Sequence, residues 1–229
     1  MIRSMISKTI NSTITTLINP FDVSGLLSRY FVTLDPVLNS HYEVVSQVEF
    51  SNDFEIELDF STTSTSNYNM LLSPNTNSIW IAVRSTGLIT FRTAGGDLIS
   101  TSQIIDGKLH KLKITRAGTT YNIYVDGVLE DSLTTVSVDL VKFNYIGKWY
   151  NASLQFNGII ANAKFTDKSG ASDVVTTFEL DEATANTESS VEGNNSVTYV
   201  NIPQSARDLY TLDGTTWTDA AGNTIEVAP

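Results

Sequence analysis

DGKLHKLKITRAGTTYNIYVDGVLEDS, residues 106–132, reads as two strands joined by a glycine turn and closed by a second turn. The first strand opens at a tight Asp106-Gly107 turn and runs through Leu109, Leu112 and Ile114 to Arg116. The chain then reverses into a strand in which Tyr121, Ile123 and Val125 alternate with Asn122 and Tyr124. Asp126-Gly127 makes the next reversal, because tight hairpin turns need positive φ and Gly supplies it without steric cost.

The same two-residue period extends outward on both sides. RYFVTL, YEVVSQVEF, FEIELDF, SIWIAVRS, GLITFRT, FNYIGKWY and FNGIIANAKFTD all lie between residues 29 and 167. Turn signals such as SPNTNS, AGG and RAGTT separate them. Short strands at about ten-residue spacing are the pattern of an antiparallel sandwich or barrel. The expected fold class is all-β, a two-sheet antiparallel sandwich.

The chain has 229 residues and no cysteine. A chain of this size buries about 70% of its unfolded surface, so it needs no covalent staple. The missing cysteines exclude a disulfide scaffold, thiolate metal sites and a cysteine nucleophile. A net charge of -11 repels phosphate backbones and anionic lipid, so neither nucleic acid nor membrane is an expected partner. No apolar run reaches the roughly 18 residues of a membrane helix, and residues 1–20 are too polar in their middle for a signal-peptide core.

Three segments are expected. Residues 1–26 form an N-terminal arm, because Ile2, Met5, Ile6, Ile10, Ile14, Leu17 and Ile18 recur at helical steps among weak helix formers. That stripe is read either as an attachment or oligomerisation device or as a helix packed on its own domain. Residues 27–170 are the sandwich. Residues 171–229 are an extension, polar and Asn-rich at first and then alternating around an AGN turn. It is expected to pack on the sandwich and end in a small hairpin, with Tyr210 and Trp217 on the core.

FEIELDF, residues 54–60, invites an enzymatic reading. Glu55, Glu57 and Asp59 share one strand face, with alternate residues roughly 7 Å apart. Two carboxylates at about 5 to 10 Å can act as acid and base in glycoside hydrolysis. One family of jelly-roll β-glucanases carries its catalytic carboxylates as Glu-x-Asp-x-Glu. The order here departs from that at the middle and last positions, and a solvated charged face is preferred. His41 and His110 stand alone, without metal-ligand spacing. His110 is read as a structural residue bonded near the turn.

Asp106-Gly107-x-x-His110, then Arg116-x-Gly118, then Tyr124-Val125-Asp126-Gly127 closely resembles the laminin-G-like and concanavalin A-like jelly-roll family. YIGKWYNASLQFNGIIANAKFTD, residues 145–167, continues the match. The sequence departs from the family at Leu109, where a tryptophan is usual. The tail LYTLDGTTWTDAAGNTIEVAP looks like C-terminal segments of bacteriophage tail and other virion proteins.

The resemblance implies a jelly roll whose function lies on one face and on its rim loops. Sugar binding of the family's kind needs an aromatic platform with amide or carboxylate partners. Trp149, Tyr150 and Asn151 offer one such cluster, and Asn67, Tyr68 and Asn69 a second; each also has a protein-contact reading and a plain packing reading. The fold often carries calcium near a rim loop, but no dense Asp cluster places it, so metal is unassigned and no cofactor is expected. The resemblance further implies a non-enzymatic bacteriophage virion protein: a decoration, fibre or tail component. It would be homo-oligomeric, joined to other virion proteins through its arm and able to bind bacterial surface polysaccharide. The alternatives are a free-standing carbohydrate-binding module and a glycoside hydrolase using Glu55, Glu57 and Asp59.

Overall fold

The computed structural model describes residues 27–76, 79–151 and 153–229; the expected arm lies outside the described residues. Among them, 18 strands form two antiparallel sheets. They are β1 (Ser28–Leu34), β2 (His41–Phe50), β3 (Phe54–Ser61), β4 (Asn69–Ser73), β5 (Trp80–Val83) and β6 (Ile89–Thr93). Then come β7 (Gly96–Ile99), β8 (His110–Ala117), β9 (Thr120–Val125), β10 (Val128–Thr134), β11 (Val141–Ile146) and β12 (Gly158–Asp167). The last six are β13 (Val174–Phe178), β14 (Thr187–Ser189), β15 (Ser196–Val200), β16 (Arg207–Asp213), β17 (Thr216–Asp219) and β18 (Thr224–Glu226).

The first sheet runs β10-β9-β8-β3-β12-β1-β16-β17-β18, with β13 sharing an edge of β12 with β1. The second runs β14-β15-β2-β11-β4-β5-β6-β7. Both are the two-layer sandwich that the period-two sequence predicts. Phe54, Ile56, Leu58 and Phe60 of β3 are all but fully buried between the layers, while Glu55, Glu57 and Asp59 point out. Leu112, Ile114, Tyr121, Ile123 and Val125 of the opening hairpin join the same core.

The motif residues of that hairpin clasp its two ends. His110 is nearly buried; its Nδ1 lies 2.7 Å from Asp126 Oδ2 and its Nε2 2.9 Å from Asp106 Oδ1, so one ring ties both turns together. At the other end Arg116, only 1% exposed, lies between the layers. Its guanidinium donates to the carbonyls of Asn52 and Asp139 and to Tyr121 Oη, and it stacks over Phe54 at 4.9 Å. Arg116 thereby fixes the β2–β3 turn and the approach to β11.

Residues 171–229 are woven into both layers. β13 extends the first sheet, β15 pairs onto β2 in the second with β14 outside it, and β16–β18 return to the first beside β1. Phe178, Leu180, Val197, Tyr199 and Ile202 enter the main core. Tyr210, Ile225 and Trp217 instead cover the outer face of the first sheet, where both aromatic rings meet Phe31 edge-on at 5.2 Å. Leu109 packs in this outer cluster, which accounts for an aliphatic side chain there.

At the far edge a bulge between Leu129 and Asp131 turns the β10 carboxylates toward the second sheet. Glu130 accepts from the Thr101 and Ser102 backbone N–H groups, and Asp131 from that of Ile99. Gly158 sits where β12 begins, at φ +141°, so close that a Cβ would lie 2.2 Å from the Ser61 carbonyl oxygen.

Candidate functional site

All four residues of β5, WIAV, are buried. Ile81 and Val83 face the main core, so alternation turns Trp80 and Ala82 outward. They are buried there by a second apolar layer on the outside of the sheet: Met70, Trp80, Ala82 and Trp149, with Tyr68, Tyr150 and Leu154 against them.

Two connections supply this cover. The turn entering β4 holds Tyr68 at φ +60°, a left-handed backbone unusual for an aromatic residue. Its ring meets Trp80 edge-on at 5.3 Å, and the Arg84 guanidinium lies 4.1 Å from its centroid. Contacts of this kind contribute about 0.5–1.5 kcal/mol each, enough to offset a turn of that sort.

The second is the loop after β11. Gly147, at φ +83°, turns the chain, and the loop is closed by Trp149 N–H donating to Leu154 O at 2.7 Å. Asn151 Oδ1 accepts from the Ser153 N–H at 3.1 Å and from its hydroxyl. Beneath, Lys148 Nζ reaches His41 Nε2 at 3.2 Å and Glu43 at 3.5 Å. Burial holds His41 below its ordinary value, and the ring is pinned at both nitrogens, Nδ1 lying 2.8 Å from Asn39 O and Nε2 3.2 Å from both Lys148 Nζ and Glu43 Oε1. The base of the loop is thus fixed, and Trp149 meets Trp80 at 6.2 Å and Tyr150 at 5.1 Å.

The result is a cleft of about 230 Å³ lined by Tyr68, Met70, Trp80, Arg92, Trp149 and Leu154. Arg92 stands over Trp80 at 5.2 Å and pairs bidentately with Asp97. The structure therefore brings together Tyr68 with Trp149 and Tyr150, which lie some 80 residues apart in the chain. Trp149 is only 8% exposed, a wall of the cleft more than an open platform, whereas Tyr68 and Tyr150 are half-buried. Asn67 and Asn151 are exposed beside them.

Asn69 does not take the ligand-facing position expected of it. It is fully buried; its Oδ1 accepts from Asn157 N–H at 2.7 Å and its Nδ2 donates to Thr62 Oγ1 at 3.0 Å. Its polar atoms hold the β4 and β12 approaches together. Sequence reasoning missed Trp80, Arg84 and Arg92. The signal for the first two was present in SIWIAVRS, where Trp80, Ala82 and Arg84 form the face opposite Ile79, Ile81 and Val83, and that for Arg92 in GLITFRT, where it alternates with Phe91.

Glu55, Glu57 and Asp59 lie on the outer face of the other sheet, each beside a lysine. Glu55 meets Lys113 at 2.8 Å and Lys168 at 3.1 Å, Glu57 meets Lys164 at 3.8 Å, and Asp59 meets Lys111 at 3.9 Å. Burial works to raise the Glu55 pKa, but its two lysine hydrogen bonds prevail and hold it below the usual range. Asp59 is raised by burial, against the pull of Lys111. Among the described residues no group of three or more His, Asp or Glu side chains is gathered as if for a metal ion.

Comparison with curated proteins finds no match. Among solved structures, a candidate carbohydrate binding protein from Bacteroides ovatus ATCC 8483 superposes with a TM-score of 0.62 at 13% identity, covering 87% of this chain. This chain spans 62% of the length of that one. Domains LG4-5 of the mouse laminin alpha1 chain give 0.47 at 19% identity, over 77% of this chain and 47% of that one. The CBM40 of the Ruminococcus gnavus IT-sialidase gives 0.41 at 8% identity, over 77% and 92%. Likeness at such identities speaks to the fold alone. Residues 38–176 match the laminin G-type family described as the concanavalin A-like lectin/glucanases superfamily, and the chain belongs to that family.

Proposed function

We propose that this protein is a non-enzymatic, lectin-like module that binds carbohydrate in the cleft between Tyr68, Trp80 and Trp149. The observation that carries this reading is the aromatic layer outside the sandwich. It stands apart from the main core, and it is assembled from two distant loops around a recess with a cationic rim. A sugar ring presents an apolar face to such aromatics, and its hydroxyls find Asn67 and Asn151 close by. A concave, mainly apolar recess with a few polar groups is the usual form of a small-ligand site.

The two lysines on Glu55 support binding without hydrolysis by that residue. A carboxylate held below its usual pKa by two lysines is a poor proton donor at neutral pH. The test is binding of the purified chain to a panel of bacterial surface polysaccharides, with and without calcium. Affinity for at least one member should fall in Tyr68→Ala and Tyr150→Ala, both of which spare the buried Trp149. A folded protein that binds nothing on a broad panel refutes the reading. Hydrolysis that is lost in the Glu55→Gln, Glu57→Gln, Asp59→Asn triple variant would make it an enzyme.

The finer reading is a bacteriophage virion component that displays this module, homo-oligomeric and joined to other virion proteins through residues 1–26. Its support is the apolar stripe of residues 1–20 and the tail from Leu209 onward, both features of sequence. Deleting residues 1–20 should leave a folded domain of lower oligomeric order by light scattering. A full-length chain that is monomeric favours the free-standing carbohydrate-binding module.

A further inference from the structure

Arg84 differs from the other described cations. Each described lysine, and Arg92, pairs with a carboxylate. Arg29, Arg116 and Arg207 donate to backbone carbonyls. Among the described residues Arg84 has neither kind of partner, in a chain of net charge -11 that holds more acidic groups than basic ones. Its guanidinium is half-exposed and stacked 4.1 Å from the centroid of Tyr68, a ring that lines the cleft.

Resting over the ring leaves the guanidinium N–H groups unspent, since no carboxylate or carbonyl among the described residues takes them. A planar fork of that kind matches a carboxylate or sulfate in bidentate fashion. Arg92, the other cation at the cleft, already has its charge offset by Asp97. From the carbohydrate reading, on which this step rests, we infer that the cleft selects an anionic sugar, with the ring against Tyr68 and the acid group on Arg84. The cation–π contact would bring the ring and anion sites next to each other.

The test uses three pairs of soluble oligosaccharides and isothermal titration calorimetry on the full chain. The pairs are oligogalacturonate and its methyl ester, oligomeric N-acetylneuraminic acid and its carboxyl-reduced form, and sulfated and desulfated chondroitin tetrasaccharide. The first two pairs report a carboxylate and the third a sulfate. At least one acidic probe should bind tenfold or more tightly than its uncharged counterpart. Arg84→Gln should erase a factor of about 10 to 100 of that preference, the range of charge-assisted hydrogen bonds, while the melting midpoint falls by only about 1–4 °C, the cost of one lost cation–π contact. Arg84→Lys, which keeps the charge and loses the fork, should recover only part.

Equal binding of charged and uncharged partners, still sensitive to Tyr68→Ala, overturns the anion inference and leaves the carbohydrate reading in place. A preference for acidic probes that survives Arg84→Gln overturns the role of Arg84. No binding to any probe of either kind overturns the inference together with the reading beneath it.

Discussion

Arg116 offers the sharpest test of how this sandwich is held together. It is a buried cation with no carboxylate, bonded to carbonyls from two separate connections and to one tyrosine hydroxyl. Arg116→Met keeps most of the volume and removes the donors. The Asn52 and Asp139 carbonyls then lose their partner inside the protein, at about 1–3 kcal/mol for each group left unpaired. Removing a buried charge returns part of this, since the guanidinium no longer has to be desolvated. The balance is a loss of about 2–4 kcal/mol. For a chain of this size that corresponds to a fall of about 5–15 °C in Tm. Urea unfolding followed by tryptophan fluorescence reads the loss directly, and an unchanged m-value shows that the folded state has kept its extent. An Arg116→Met midpoint at or above wild type would refute the reasoning. It would mean that desolvation outweighs the carbonyl bonds and that the clasp costs stability.

Three further outcomes are expected. Gly158→Ala sets a methyl group 2.2 Å from the Ser61 carbonyl oxygen at φ +141°, and should cost about 2–4 kcal/mol; a wild-type melting midpoint would show that the β12 entry can shift freely. Burial raises the Glu188 pKa above its usual 4.5, despite donors from Tyr199 and from the Glu179 and Leu180 N–H groups. The folded state therefore holds this proton more tightly, so the group's contribution is fully present below pH 4.5 and is lost as pH rises through the folded value. Glu188→Gln should flatten that decline in a pH series of urea melts, and an identical slope would count against it. His110→Phe leaves Asp106 and Asp126 without their shared partner. It should destabilise by about 1–3 kcal/mol, measured by the same unfolding; no loss would mean that the turns hold without the ring.

The hairpin of residues 106–132 was legible because its signals are local: positive-φ Asp-Gly turns and strict alternation lie within a few residues of each other. His110 was readable as a turn residue, but not as the link between both aspartates, since Asp126 comes from the turn that follows the neighbouring strand. The outward cleft was only half legible. Tyr68 and Trp149 could each be picked out as aromatic loop residues, yet their meeting depends on β11 lying beside β4, a pairing with no local signature. Asn69 misled because an amide next to an aromatic looks the same in sequence whether it faces a ligand or ties two strands. Residues 171–229 looked like an appendix because β13 is a short edge strand, exposed or half-buried except at Phe178, and β14 is three residues of TES. The anchoring side chains Phe178, Leu180, Val197 and Tyr199 are too widely spaced to show a period.

The neighbours of β1 have a consequence for synthesis. Its two flanking strands are β12 and β16, so Leu34 meets Gly158, and Ser28 meets Thr211. At about 5–20 residues per second, roughly 6–25 s pass between translation of Leu34 and of Gly158. Throughout that interval Phe31, Val32 and Leu34, all buried at the end, have no strand to lie against. A ribosome stalled in the middle of this message would hold a sticky, half-built sheet, and closure of the first layer is among the last things the chain can do.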